Sequence, residues 1–212
     1  MDSRGALKIA MMALSIGLHA AVWSQENPLR FKARIHAGFA ASQIHGDGIS
    51  GFNKFGASAG ASVAFGRASH TAYQWGIVYT QKGSRRVPDP KNGDYNTWRY
   101  RFTYIDLPLL KIWSPAPDVW WWGMGIQPSI LVKAEEDFYG NGYRDLTTPD
   151  IHTIDWGGVL NAGFQFRERV ALDVRLTQSL LPISDRPPGI VAQWDNFMMN
   201  MAIQWMVTWQ LD

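Results

Sequence analysis

The residues able to do acid–base or metal chemistry are few. The chain has five histidines, 18 carboxylates and no cysteine. Without cysteine there are no disulfides, thiol nucleophiles or zinc–thiolate sites. His152, close to Asp150 and Asp155, is the best candidate for a general base. No serine near it has an evident activating context, so a hydrolase is not indicated. His45 and Asp47 offer two metal ligands without a third, and Gly46-Asp47-Gly48 reads as a flexible turn. His70 falls in a short connection far from the others. Tyr79-Thr80-Gln81-Lys82-Gly83-Ser84 carries a lysine and a glycine, but it lacks the glycine spacing and following helix of a phosphate loop. It reads as a strand end that leaves Lys82 near a rim, with Arg85 and Arg86 continuing that rim. The expectation is no catalytic residue, no metal and no cofactor.

A second group of charges is more informative because of where it falls. Lys32, Arg34, Asp106, Asp155, Asp173 and Arg175 each occupy the polar positions of segments that alternate apolar and polar. His36, Gln74, Gln127, Gln165, Asn196, Asn200 and Gln204 join them. Strict alternation is the mark of a β-strand with two unlike faces. The last sixteen residues, FMMNMAIQWMVTWQLD, show it most clearly, with every odd position from Phe197 to Leu211 apolar. Similar segments begin at Phe31, Phe55, Tyr73, Trp120, Ile154 and Val170. An eighth, near Arg99–Trp113, is irregular: Tyr100 and Phe102 are even, whereas Ile105, Leu107 and Leu109 are odd. A bulge near Tyr104 would repair the register and leave Asp106 on the polar face. Pro108 belongs where pairing is already interrupted.

The connections alternate in length. Arg67–Thr71, Ser114–Asp118 and Arg167–Arg169 are short. Gln43–Lys54, Gly83–Trp98, Glu135–His152 and Gln178–Gln193 are long. Outer-membrane barrels sort their loops this way, with short periplasmic turns and long external loops. Aromatics collect toward the strand ends. Trp75, Trp113, Trp120, Trp122, Trp205 and Trp209 read as lipid-interface residues of the short-turn side. Phe39, Phe55, Tyr79, Trp156 and Phe197 gather toward the other. Two girdles around an aliphatic band match a membrane interface. The expected fold is therefore all-β: an eight-stranded antiparallel transmembrane β-barrel with short periplasmic turns and long extracellular loops. The polar residues above would then line its lumen, pairing with one another as a plug, because eight strands enclose only enough room for side chains.

Composition is compatible with this. The formal net charge of +2 implies no nucleic-acid partner. The mean hydropathy of −0.18 does not argue against a barrel, whose strands are oily on one side only. Arg4 and Lys8 precede an apolar run, Ile9 to Trp23, and a small residue at Ser24. This reads as a signal peptide over residues 1–24, with the barrel over 25–212 and delivery to a Gram-negative outer membrane. A soluble sandwich or lipocalin-like carrier is the opposing reading; it would require an apolar interior in place of the charges counted above.

The segments HGDGISGFNKFGASAGASV (45–63), YTQKGSRR (79–86) and YIDLPLLK (104–111) resemble the PorT-like family of small outer-membrane β-barrels. The resemblance extends over nearly all of residues 25–212. It implies an eight-stranded barrel and, through the family's namesake, a link to protein secretion; it brings no catalytic residues. The terminal Asp212, where an aromatic is usual, departs from the pattern. The expected role is a non-enzymatic accessory or scaffold barrel in secretion or envelope assembly. Outer-membrane lipid and lipopolysaccharide, the latter through Arg85 and Arg86, are its expected partners, with other envelope or secretion proteins meeting the loops. Two alternatives stand beside it: a barrel-rim enzyme acting on outer-membrane lipid, with His152 as base, and a narrow pore.

Overall fold

The structure, a computed structural model, describes residues 30–66, 70–116, 119–147, 150–184 and 197–211. The signal-peptide reading and Asn196 fall outside these residues.

Long alternating segments become long strands. In chain order they are β1 (Arg30–His45), β2 (Lys54–Gly66), β3 (Thr71–Lys82), β4 (Arg85–Arg86), β5 (Trp98–Asp106), β6 (Leu109–Ala116), β7 (Trp120–Phe138), β8 (Arg144–Asp145), β9 (Ile154–Arg167), β10 (Val170–Ser179) and β11 (Met199–Gln210). β5 and β6 are two halves of one stave, separated by Leu107 and Pro108: β3 pairs with β5 through its outer half and with β6 through its inner half. The two-residue strands β4 and β8 add to the rim of β5 and β7. Eight staves result. β1 pairs antiparallel with β2 on one side and with β11 on the other, from Arg34 opposite Gln210 to His45 opposite Met199. The sheet is thus a closed antiparallel barrel, and its closure satisfies both edges that an open sheet would leave.

The two faces separate as the alternation implies. Outward positions carry Phe31, Ile35, Ile77, Ile126, Leu160, Val207 and similar residues, all exposed. Inward positions carry Ser58, Ser62, Gln74, Thr80, Gln127, Asp155, Asn161, Gln204 and Thr208, all buried. Many inward residues of β1–β3 are small, among them Ala40, Ser58, Ser62 and Thr80, which leaves room for long side chains in the lumen. Trp121 lies flat over Gly163, where a Cβ would collide with its ring.

Three expectations need correction. The irregular stave has no bulge of its own at Tyr104. Its even positions, Tyr100, Phe102, Tyr104, Asp106, Leu110 and Ile112, are all buried inside. The extra residue is on the neighbouring strand, where Thr103 pairs with Lys133 but Tyr104 with Leu131, leaving Val132 unopposed. β7 also runs as strand to Phe138, four residues into the expected long loop. Trp205 pairs with Phe39 and Val174 at mid-height of β11, rather than with the short-turn tryptophans.

If hydrocarbon covers the outer face, Leu160, flanked by Met124 and Leu176, is a stringent reporter. Leu160→Arg is expected to lower stability by about 2–4 kcal/mol in reversible unfolding from lipid bilayers. An unchanged denaturation midpoint would mean that something other than lipid contacts this wall.

Candidate functional site

The lumen is filled in three tiers. The outer tier, toward the long loops, is apolar: Ile44, Tyr100, Phe102, Tyr104, Ile183 and Met198 form one buried cluster, with Trp98, Leu131, Ala134, Leu146 and Ile151 against it. The inner tier, toward the short turns, is Leu110, Ile112, Trp121, Val159 and Ala171.

The middle tier is polar. Lys82 Nζ donates to Asp106 Oδ1 at 3.0 Å, both side chains 2% exposed or less, and lies 5.0 Å from the centre of the Tyr104 ring. Asn200 Nδ2 donates to Asp155 Oδ2 (3.0 Å) and to the Tyr104 hydroxyl (3.2 Å). Asp106 and Asp155 are therefore joined through Lys82, Tyr104 and Asn200. Gln204 reaches across the barrel to Thr80. Asp173 accepts from Asn161 and from Thr208 at 2.6 Å. Arg175, next but one along β10, is fully buried. Its Nε and Nη1 have no hydrogen-bond partner, nor do the second oxygens of Asp106 and Asp155.

The other two expected lumen charges lie lower. The Arg34 guanidinium stacks 4.6 Å from the Trp121 ring, and Lys32 lines a recess at the short-turn mouth with Gln165, Arg167, Glu168 and Gln210. Lys82 was expected near the rim; the structure turns it inward. The signal was available, because Lys82 shares the even parity of Gln74 and Thr80. The interface tryptophans Trp75, Trp120, Trp122 and Trp209 are exposed on the outer wall, and Trp113 stacks on Trp122 at 4.6 Å.

The outer rim carries a second charged set that the sequence pattern did not reveal, because Glu135-Glu136-Asp137 reads as the start of a loop. β5 and β7 remain paired there, so Arg99 faces Asp137 and Arg101 faces Glu135. Arg101 Nε donates to Glu135 at 2.8 Å, and Lys133 lies 2.9 Å from the same carboxylate. These hydrogen bonds, Arg101's first, hold Glu135 well below the usual carboxylate range. Arg144 pairs with Glu136, and Arg86 with Asp94. The candidate base His152 is exposed, its Nδ1 3.0 Å from the Pro182 carbonyl, whereas Asp155 turns inward to Asn200. Among the described residues no three His, Asp or Glu side chains group as a metal site.

A closed barrel of eight staves, oily outside and packed with paired polar groups inside, defines a small transmembrane β-barrel. The outer membrane protein beta-barrel domain matches residues 23–185. The chain belongs to that family and is an outer-membrane β-barrel. Among solved structures it resembles Ail, the attachment invasion locus protein of Yersinia pestis, crystallised with the heparin analogue sucrose octasulfate: 9% identity, 86% of this chain and 99% of that chain covered, TM-score 0.50. Neisserial surface protein A follows at 15% identity, with 86% and 99% covered and a TM-score of 0.45. OprG from Pseudomonas aeruginosa shares 12% identity, with 85% and 95% covered and a TM-score of 0.40. No curated protein matches the chain.

Two predictions follow from the tiers and the rim. Asp106→Asn strands the Lys82 ammonium in the lumen and is expected to cost about 3–5 kcal/mol, whereas Lys82→Met with Asp106→Leu recovers most of that; urea midpoints of the refolded barrels check both. In the first external loop, burial raises Asp47 to about 6 against the restraint of its contacts with Ser84 and the Ile49 amide. A carboxyl raised on folding favours its protonated state, so its contribution to stability is full below about pH 4 and is lost as pH rises through 6. Hydrogen exchange of residues 46–53 should accelerate between pH 5 and 7.5 beyond the intrinsic rate change, and Asp47→Asn should remove the excess.

Proposed function

We propose that this protein is a non-conducting, non-enzymatic scaffold of the outer membrane, whose charged rim and external loops engage another envelope protein. The observation that carries the reading is the division of the barrel. The outer mouth is closed from within by Ile44, Tyr100, Phe102, Tyr104, Ile183 and Met198, while the ladder of β5 and β7 continues outward and holds ordered charge above it. A sealed lumen leaves the wall and rim as the working surfaces. The PorT-like resemblance points to secretion or envelope assembly as the setting, and residues 1–24 would then be removed in transit. Lys32, Arg34, Asp106, Asp155, Asp173 and Arg175 are on this reading structural, filling the lumen in a network where Lys82 answers Asp106 and neutral donors hold Asp155 and Asp173.

The unpartnered polar atoms of Arg175, Gln127 and Asp155 favour a second reading, a narrow pore. The two separate cleanly. The scaffold reading expects no single-channel steps in planar bilayers from the wild type, and ohmic steps only after Phe102→Ala with Tyr104→Ala opens the outer tier. It also expects photo-crosslinkers at the exposed loop residues Tyr95 and Tyr139 to capture one recurrent envelope protein in intact cells. Steady wild-type conductance, or crosslinks to lipid alone, would sink it.

A further inference from the structure

At the outer corner of the barrel, where β4 pairs with β5, like charges are held together. Arg85 of β4 stands directly opposite Arg99 of β5, an arrangement that repels unless something lies between. Among the described residues the acidic partner of Arg99 is Asp137, at 3.9 Å. Arg85 has no acidic partner among the described residues. The Nε atoms of both are buried without a hydrogen-bond partner. Lys54, the first residue of β2, belongs to the same corner. It is 6% exposed, and its ammonium donates to the Phe55 carbonyl at 2.8 Å. Burial, then the charges of Arg101, Arg99 and Arg85, lowers it to about 8. Arg101 itself is taken by Glu135 and by the Tyr143 ring, 3.7 Å away. The buried Ser84 hydroxyl adds one more polar atom. The acids at this corner are Asp137, Glu135, which is bound by Arg101 and Lys133, and Asp47, whose carboxyl neighbours Ser84.

Height decides the ligand. Phe55, 62% exposed, follows Lys54 on the outer wall, and Tyr79 is exposed on β3. Both belong to the outer aromatic ring, so the corner lies just beyond the hydrocarbon, at the level of lipid headgroups. Guanidinium pairs recognise phosphate oxygens bidentately, and three half-buried or buried cations answered only in part by the long Arg99–Asp137 contact favour a further anion. We infer that Lys54, Arg85 and Arg99 form a binding site for a phosphate group of an outer-leaflet glycolipid. The site stands independently of any protein partner.

The test compares full-length barrel, matured in cells and exchanged into detergent, for capture of bisphosphorylated lipid A and of the same lipid dephosphorylated, by native mass spectrometry. The wild type should favour the phosphorylated lipid by roughly tenfold to a hundredfold, the worth of one or two charge-assisted hydrogen bonds. Arg85→Gln with Arg99→Gln should abolish the preference, and Arg167→Gln at the opposite mouth should leave it intact. Heat-modifiable gel mobility confirms that each variant is folded; if the double variant is not, Lys54→Met replaces it. Equal capture of both lipids by the wild type, or a preference that survives in the folded variants, overturns the site. Inorganic phosphate that binds as tightly as lipid A overturns the glycolipid source and assigns the corner to a soluble anion.

Discussion

The hydrocarbon of a bilayer offers backbone groups no partner, and the rest of this structure depends on that. A β-sheet can cross it only if no edge remains open. The pairing of β1 with β11 is therefore not one ladder among eight but the condition for the others. It joins the two ends of the described chain, and it explains why so long an apolar stripe lies in the terminal strand. The outward face of β11 meets lipid, while Asn200, Gln204 and Thr208 on its inward face bind Asp155, Thr80 and Asp173. One strand thus serves both media.

Closure at eight staves then limits the interior. Eight strands leave room for side chains and little else. Small residues on β1, β2 and β3, such as Ala40, Ser58 and Ser62, leave room for the fully buried side chains of Arg175 on β10 and Tyr104 on β5. Charges placed there must answer one another, because desolvated charge is tolerated only when paired. Lys82 with Asp106 is such a pair, whereas Asp155 is held by a hydrogen bond from the neutral amide of Asn200. The two apolar tiers above and below shut the polar tier away from both mouths, which strengthens its electrostatics and makes each member harder to replace.

Much of this was legible in the residues. Period-2 alternation and the sorting of loop lengths predict the eight-stave barrel, and Asp155, Asp173 and Arg175 are inward as their parity implies; Asp106 is inward too, in the stave's own even register and without the expected bulge. Where the reading failed, the cause is physical. Alternation separates two faces but does not say which is inside when both are apolar. A bulge near Tyr104 would put Tyr100 and Phe102 on the same face as Ile105 and Leu107; they are instead part of the plug. Lys82 had inward parity, but its place at a strand end suggested solvent. Glu135, Glu136 and Asp137 resembled a loop because strands this acidic are uncommon, and nothing local indicates that Arg99 and Arg101 lie opposite. Their cross-strand pairing is a tertiary fact. The bulge was expected in the strand whose pattern broke, yet Val132, the unopposed residue, belongs to its neighbour. A register fault can be absorbed on either side of a ladder, and sequence shows only one side.

The same ladder explains why the rim is a better recognition surface than an ordinary loop. Loop charges lose conformational freedom when they bind. Here Arg85, Arg99 and Arg101 project from paired backbone, and Gly83, at φ 146° against the Tyr100 backbone, supplies the break that carries the chain from β3 into β4. Some staves exceed the roughly 9–11 residues a membrane requires: β1 has 16 and β7 has 19, whereas β10 has 10. The surplus is not spread evenly; on β7 it carries the β5 ladder outward as a rigid charged ledge. A wall that continues past the lipid in one direction, over a mouth closed from within, puts its ordered polar groups where the outer leaflet and external partners are met.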